Sequence, residues 1–123
     1  AWVNFMRPGD FNPPHTHAGS FSSVLFINMP QELLEENEEH KSHDINSAGP
    51  GSISFFAGVN GGMSNWRQDF TPKTGELFMF PADLMHMVYP YKSNVERITI
   101  SFNMAIVNEK EYQNKIAKSK KLK

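Results

Sequence analysis

The segment Glu96-Arg97-Ile98-Thr99-Ile100-Ser101-Phe102-Asn103-Met104 alternates without a break. Arg97, Thr99, Ser101 and Asn103 fall on one parity, and Ile98, Ile100, Phe102 and Met104 on the other. Successive side chains of a strand point to opposite faces, so one face here is apolar. The other carries hydroxyls, an amide and a single guanidinium. A half-exposed antiparallel strand shows the same period, usually with mixed lysine and glutamate toward water. The composition of this polar face suits instead the inside of a small barrel whose cavity binds a polar ligand. The apolar face is then expected to pack against an outer layer.

Turn signals divide the rest of the chain into short apolar runs. Trp2–Met6 runs into Arg7-Pro8-Gly9-Asp10, and Phe21–Asn28 ends at Met29-Pro30. Gly49-Pro50-Gly51 introduces Ser52–Ala57, after which Trp66–Phe70, Glu76–Phe80, His86–Tyr89 and Glu96–Ile106 read as strands. Turns roughly every eight to twelve residues, with scarcely any helical periodicity, predict an all-β sandwich or barrel. The acidic segment 31–44 reads mostly as connection, with one helical turn around Leu33–Glu36. Gly58 to Asn65 reads as a flexible loop, with Gly58–Met63 a candidate lid. Residues 108–123 hold six lysines and have the composition of a short surface helix.

With 123 residues the chain is long enough for one core and too short for two. The expected organisation is a β domain over 1–107 followed by a basic tail or helix over 108–123. Hydrophobic residues make up 39% of the chain, and no apolar stretch approaches the length that spans a bilayer. The opening Ala-Trp-Val-Asn-Phe-Met lacks the parts of a secretory signal and enters a strand abruptly, so some N-terminal sequence is expected to be missing. There is no cysteine, which excludes disulfides, thiolate metal ligands and iron–sulfur clusters and fits a reducing, cytoplasmic setting. A net charge of −1 gives no argument for nucleic acid, and the lysine tail lacks the interleaved aromatics of a single-strand platform.

Chemistry concentrates in three histidines. His15 and His17, in Asn-Pro-Pro-His-Thr-His, are one residue apart, so on a strand both imidazoles leave the same face. His86 follows Phe-Pro-Ala-Asp-Leu-Met and stands 69 residues beyond His17, behind a different strand. Together they predict a site that keeps open positions, which suits a catalytic iron better than a closed structural zinc. Arg97, on the alternating strand, is the natural partner for the far carboxylate of a dicarboxylic keto acid, because its planar fork accepts a carboxylate in two parallel hydrogen bonds. Thr99 on the same face can donate another. Phe80, Met79, Met85 and Met87 are expected in the core or cavity wall, and Trp2, Trp66, Tyr89 and Tyr91 at a substrate mouth or in packing. His40 and His43, in the acidic segment, receive no role.

These pieces resemble the 2-oxoglutarate and iron(II)-dependent oxygenases. The matching residues are Trp2-Val3-Asn4, His15-Thr16-His17, Gly75 through His86, and Arg97-Ile98-Thr99-Ile100-Ser101-Phe102-Asn103. The sequence is most similar to small members from marine bacteria and their phages. The resemblance implies a double-stranded β-helix (jelly-roll) fold and Fe(II) held by His15, His17 and His86. It also implies 2-oxoglutarate and O2 as co-substrates, with Arg97 and Thr99 on 2-oxoglutarate, and succinate and carbon dioxide as co-products. The second substrate, a small molecule or a protein, carries no motif here.

One departure stands out. The usual triad is His-x-Asp or His-x-Glu plus the distal histidine, and here His17 fills the carboxylate position. Three neutral imidazoles leave the metal more positive, which favours an anionic co-substrate. Asp83 is the nearest substitute carboxylate, although an aspartate at a corner usually caps a turn. A cupin is the main alternative: Gly9 and five residues before His15-Thr16-His17 fit its first motif, and Gly75-x5-Pro81 its second. Phe21 and Ser22 stand where a cupin has glutamate, and Pro90 where it has asparagine. A jelly-roll binding module without metal is the third reading.

Overall fold

The computed structural model describes residues 1–58 and 66–122, so the loop expected from Gly58 to Asn65, with its candidate lid Gly58–Met63, lies outside the described residues except for Gly58. Eight strands and two helices follow in the order β1 (Trp2–Met6), β2 (Asn12–His15), β3 (Phe21–Asn28), α1 (Gln31–His43), β4 (Ile53–Phe56), β5 (Arg67–Phe70), β6 (Leu77–Pro81), β7 (Met85–Val88), β8 (Arg97–Met104) and α2 (Glu109–Lys121). They make two antiparallel four-stranded sheets, ordered β1-β8-β3-β6 and β2-β7-β4-β5. The all-β expectation holds. The barrel does not, because no ladder joins the two sheets among the described residues.

β8 lies inside its sheet, paired with β1 on one side and β3 on the other. Register sets Met6 opposite Arg97, Asn4 opposite Thr99 and Trp2 opposite Ser101, so these six side chains share one face. The core lies between the sheets, where Phe26 and Phe80 of one meet Ile53, Phe55 and Val88 of the other. The reverse face of the first sheet is not covered as expected. Val3, Phe5, Leu77 and Met79 on it are exposed, and neither helix packs there.

The acidic segment forms a 13-residue helix rather than one turn. Its first turn holds Glu32 and its last Lys41, charges that suit the helix dipole. It docks through Leu33, fully buried, and through Asn37, whose amide donates to the Pro50 carbonyl (2.9 Å) and to Ser52 Oγ (2.9 Å). Gly51 makes that docking possible: at φ +71° a Cβ there would stand 2.7 Å from Leu33 Cδ1. The lysine-rich tail is helical as expected, capped by a reciprocal Asn108–Glu111 box, and buries none of its side chains. No helix among the described residues is long and apolar enough to cross a membrane.

Candidate metal centre and cavity

Pro13 and Pro14 have no N–H to give a ladder, so β2 pairs with β7 only at Asn12 and His15, with a register shift between them. His15 faces His86 in that pairing. His17 lies two residues beyond the strand, not on it as the spacing suggested. It is held instead by its backbone N–H, which donates to the Ala82 carbonyl at 2.8 Å. The three rings still converge. Their centroids are 4.2 Å apart for His15–His86 and 5.0 Å for the other two pairs, and one ligating nitrogen from each lies within 4.8 Å of the others.

His15 Nδ1 is 2.7 Å from the Pro13 carbonyl oxygen, and His86 Nδ1 is 2.9 Å from that of Leu84. A carbonyl only accepts, so in each neutral ring Nδ1 carries the proton and Nε2 keeps its lone pair. Such carbonyl contacts fix tautomer and ring orientation for metal ligation. Burial pulls the His86 pKa down to about 4, with the nearby His15 and His17 adding to the shift and the Leu84 hydrogen bond opposing it. Burial, and then His15, lower His17 as well. Phe80 and Phe55 close over His86 at 4.8 and 5.9 Å, and Trp2 covers His17 at 5.9 Å.

A cavity of about 360 Å³ is lined by all three histidines and by Arg97, Thr99 and Ser101. Arg97 is 4% exposed, and its guanidinium carbon lies 4.9 Å from the Phe26 ring centroid. Nη1 donates weakly to Met6 Sδ at 3.7 Å, and Nε has no partner. The ion pairs among the described residues, Arg7–Glu96 and Arg67–Asp69, do not include it. Burial lowers the Arg97 pKa to about 10, so it stays charged at neutral pH. A buried cation is costly, and Arg97 has no counterion among the described residues.

Residues 1–103 match the model of the family described as "Putative 2OG-Fe(II) oxygenase". The chain belongs to that family. No curated protein matches it. The family match takes in His15, His17, His86, Arg97 and Thr99 and stops before α2. What an oxygenase of this family implies, Fe(II) and 2-oxoglutarate, fits the residues present. Three imidazole nitrogens are too few to close even a tetrahedral shell, and the buried Arg97 Nε, without a partner among the described residues, suits a ligand acceptor.

Other sequence expectations divide. Asp83 is exposed in the corner turn and outside the histidine cluster. Phe80 lines the cavity, but Met79 and Met85 are exposed, at 58% and 47%, instead of forming core. Trp2 lines the cavity, whereas Trp66 packs at a tilt against Phe56 (5.5 Å). Tyr91 is a buried latch: its hydroxyl donates to the Met6 or Val95 carbonyl and accepts from the Arg97 N–H. Asn103, on the polar side of β8, is exposed and bonded to Ser22, so only three of that face's four residues line the cavity. Phe26 under the guanidinium had no sequence signal beyond its place in an apolar strand.

Proposed function

We propose that this protein is an iron(II)- and 2-oxoglutarate-dependent dioxygenase of the hydroxylase type. The observation that carries the reading is Arg97, a buried cation without a counterion among the described residues, sharing one cavity with three imidazoles. The two strand orders support a jelly-roll scaffold over 1–107, with the basic 108–123 segment as an appendage.

His15, His17 and His86 would hold the iron through nitrogen atoms that the Pro13 and Leu84 carbonyls help to orient. When bound, iron supplies dioxygen activation, so that 2-oxoglutarate, O2 and a substrate C–H become succinate, CO2 and an alcohol, one oxygen atom entering each organic product. Arg97 takes the far carboxylate in its fork, and Thr99 on the next inward position of β8 donates to it. Phe26 and Met6 fix the guanidinium from behind and keep water from it. Phe55 and Phe80 hold His86 in dry surroundings, which keeps its ring neutral and ready to ligate. A cupin chemistry without 2-oxoglutarate would leave the Arg97 charge unanswered.

The test is turnover in air. Iron-loaded protein given 2-oxoglutarate is expected to form succinate and CO2 one to one, with none when a chelator is present. Iron-loaded protein that leaves 2-oxoglutarate intact contradicts the proposal.

A further inference from the structure

Asn4 lies on edge strand β1, opposite Thr99, and lines the cavity. Its amide nitrogen is 3.0 Å from Ser101 Oγ and 3.3 Å from Thr99 Oγ1. An amide NH2 has two protons, and Asn4 gives one to each hydroxyl. A hydroxyl that accepts in this way keeps its own proton to give elsewhere. Thr99 and Ser101 are thereby left as donors, on the same face of β8 as Arg97. A strand rises about 3.3 Å per residue, so the Cα atoms of these three alternate residues stand about 7 Å apart along the cavity wall, and the shared Asn4 nitrogen holds the Thr99 and Ser101 hydroxyls closer together than that.

We propose that Asn4 is a positioning residue for 2-oxoglutarate, orienting the Thr99 and Ser101 hydroxyls as donors toward the anion that pairs with Arg97. This rests on the dioxygenase reading above and adds to it a residue that never touches the reacting atoms. A purely structural role for Asn4 has little to do. β1 is already tied to β8 by a five-pair ladder, and Asn4 is only half-buried, so its amide has no need of these two partners for satisfaction.

The test is an anaerobic titration of iron-loaded protein with 2-oxoglutarate, reading Kd from the visible absorption, with iron affinity measured separately. Asn4→Ala is expected to raise the Kd for 2-oxoglutarate roughly three- to tenfold, the scale of one or two oriented hydrogen bonds, and to leave iron affinity unchanged. In a Thr99→Val/Ser101→Ala background the same change is expected to matter less than about twofold, because the hydroxyls it acts through are gone. Asn4→Asp keeps the shape but can only accept, so it draws both hydroxyl protons away from the anion. It is expected to weaken binding more than Asn4→Ala does. An unchanged Kd in Asn4→Ala, or an equal loss in both backgrounds, overturns the positioning role while leaving the dioxygenase reading intact. Wild-type protein that binds iron but no 2-oxoglutarate overturns both.

Discussion

His17 and His86 stand 69 residues apart in sequence, and their Nε2 atoms meet at 3.1 Å. His86 carries its proton on Nδ1, toward Leu84, so in this contact the His17 Nε2 must be the donor. A metal held by both nitrogens would take the place of that hydrogen bond, with the His17 proton on its other nitrogen. The fold itself preassembles the pair, so holding a metal there would call for a change of tautomer rather than of backbone.

Stoichiometric binding follows from that preassembly. One Fe(II) or Co(II) per chain is expected to raise Tm, since an ion that binds only the folded state stabilises it by mass action. His86→Ala is expected to weaken the metal by more than the roughly 10–100-fold that accompanies loss of an outer hydrogen-bond partner. Calorimetric titration with Co(II) checks both statements. A wild-type affinity retained in His86→Ala contradicts the triad.

Phe26 joins the core to the Arg97 guanidinium. It is fully buried, meets Phe78 edge-on at 5.3 Å and lies under the Arg97 guanidinium. Phe26→Ala is expected to cost about 3–5 kcal/mol in urea unfolding, from lost burial and the cavity left behind. A loss below about 1 kcal/mol would show that the guanidinium and the core do not depend on this ring.

Glu36 gives α1 its pH dependence. Its carboxylate accepts from the Lys92 and Ser93 backbone N–H groups, both at 2.8 Å, and from the Ser93 hydroxyl. Burial alone would raise its pKa, but the hydrogen bonds from Ser93 and Lys92 outweigh burial and hold it below the ordinary 4.5. A depressed carboxylate stabilises the fold fully above its unfolded pKa, and that contribution is lost as pH falls through the folded value. The stability advantage of wild type over Glu36→Gln is expected to be greatest above about 4.5 and to shrink below it. Urea midpoints of the two proteins across that range check the sign; a gap that widens on acidification contradicts it.

β1 and β3 were legible to the residue, because Pro and Gly punctuation brackets each run. The period of β8 gave the cavity face through Arg97, Thr99 and Ser101. Alternation says which face a residue takes, however, and not whether sheet edges meet, so closure into a barrel could not be read from it. The Pro13-Pro14 pair should have signalled that a regular strand would not carry through His17. α1 escaped because a buried amide, Asn37, and a glycine contact at Gly51 dock it in place of an apolar stripe. The Arg97 charge was visible in sequence; its lack of a counterion among the described residues is a tertiary fact.

The account turns on one cavity that offers three imidazoles to a metal and a guanidinium to an anion. Anaerobic addition of 2-oxoglutarate to the iron-loaded protein tests this most directly, in wild type and in Arg97→Ala. The account predicts a visible charge-transfer band in wild type, at one 2-oxoglutarate per iron, and its loss in Arg97→Ala with iron still bound. No band in iron-loaded wild type, or an equal 2-oxoglutarate affinity in Arg97→Ala, would contradict it.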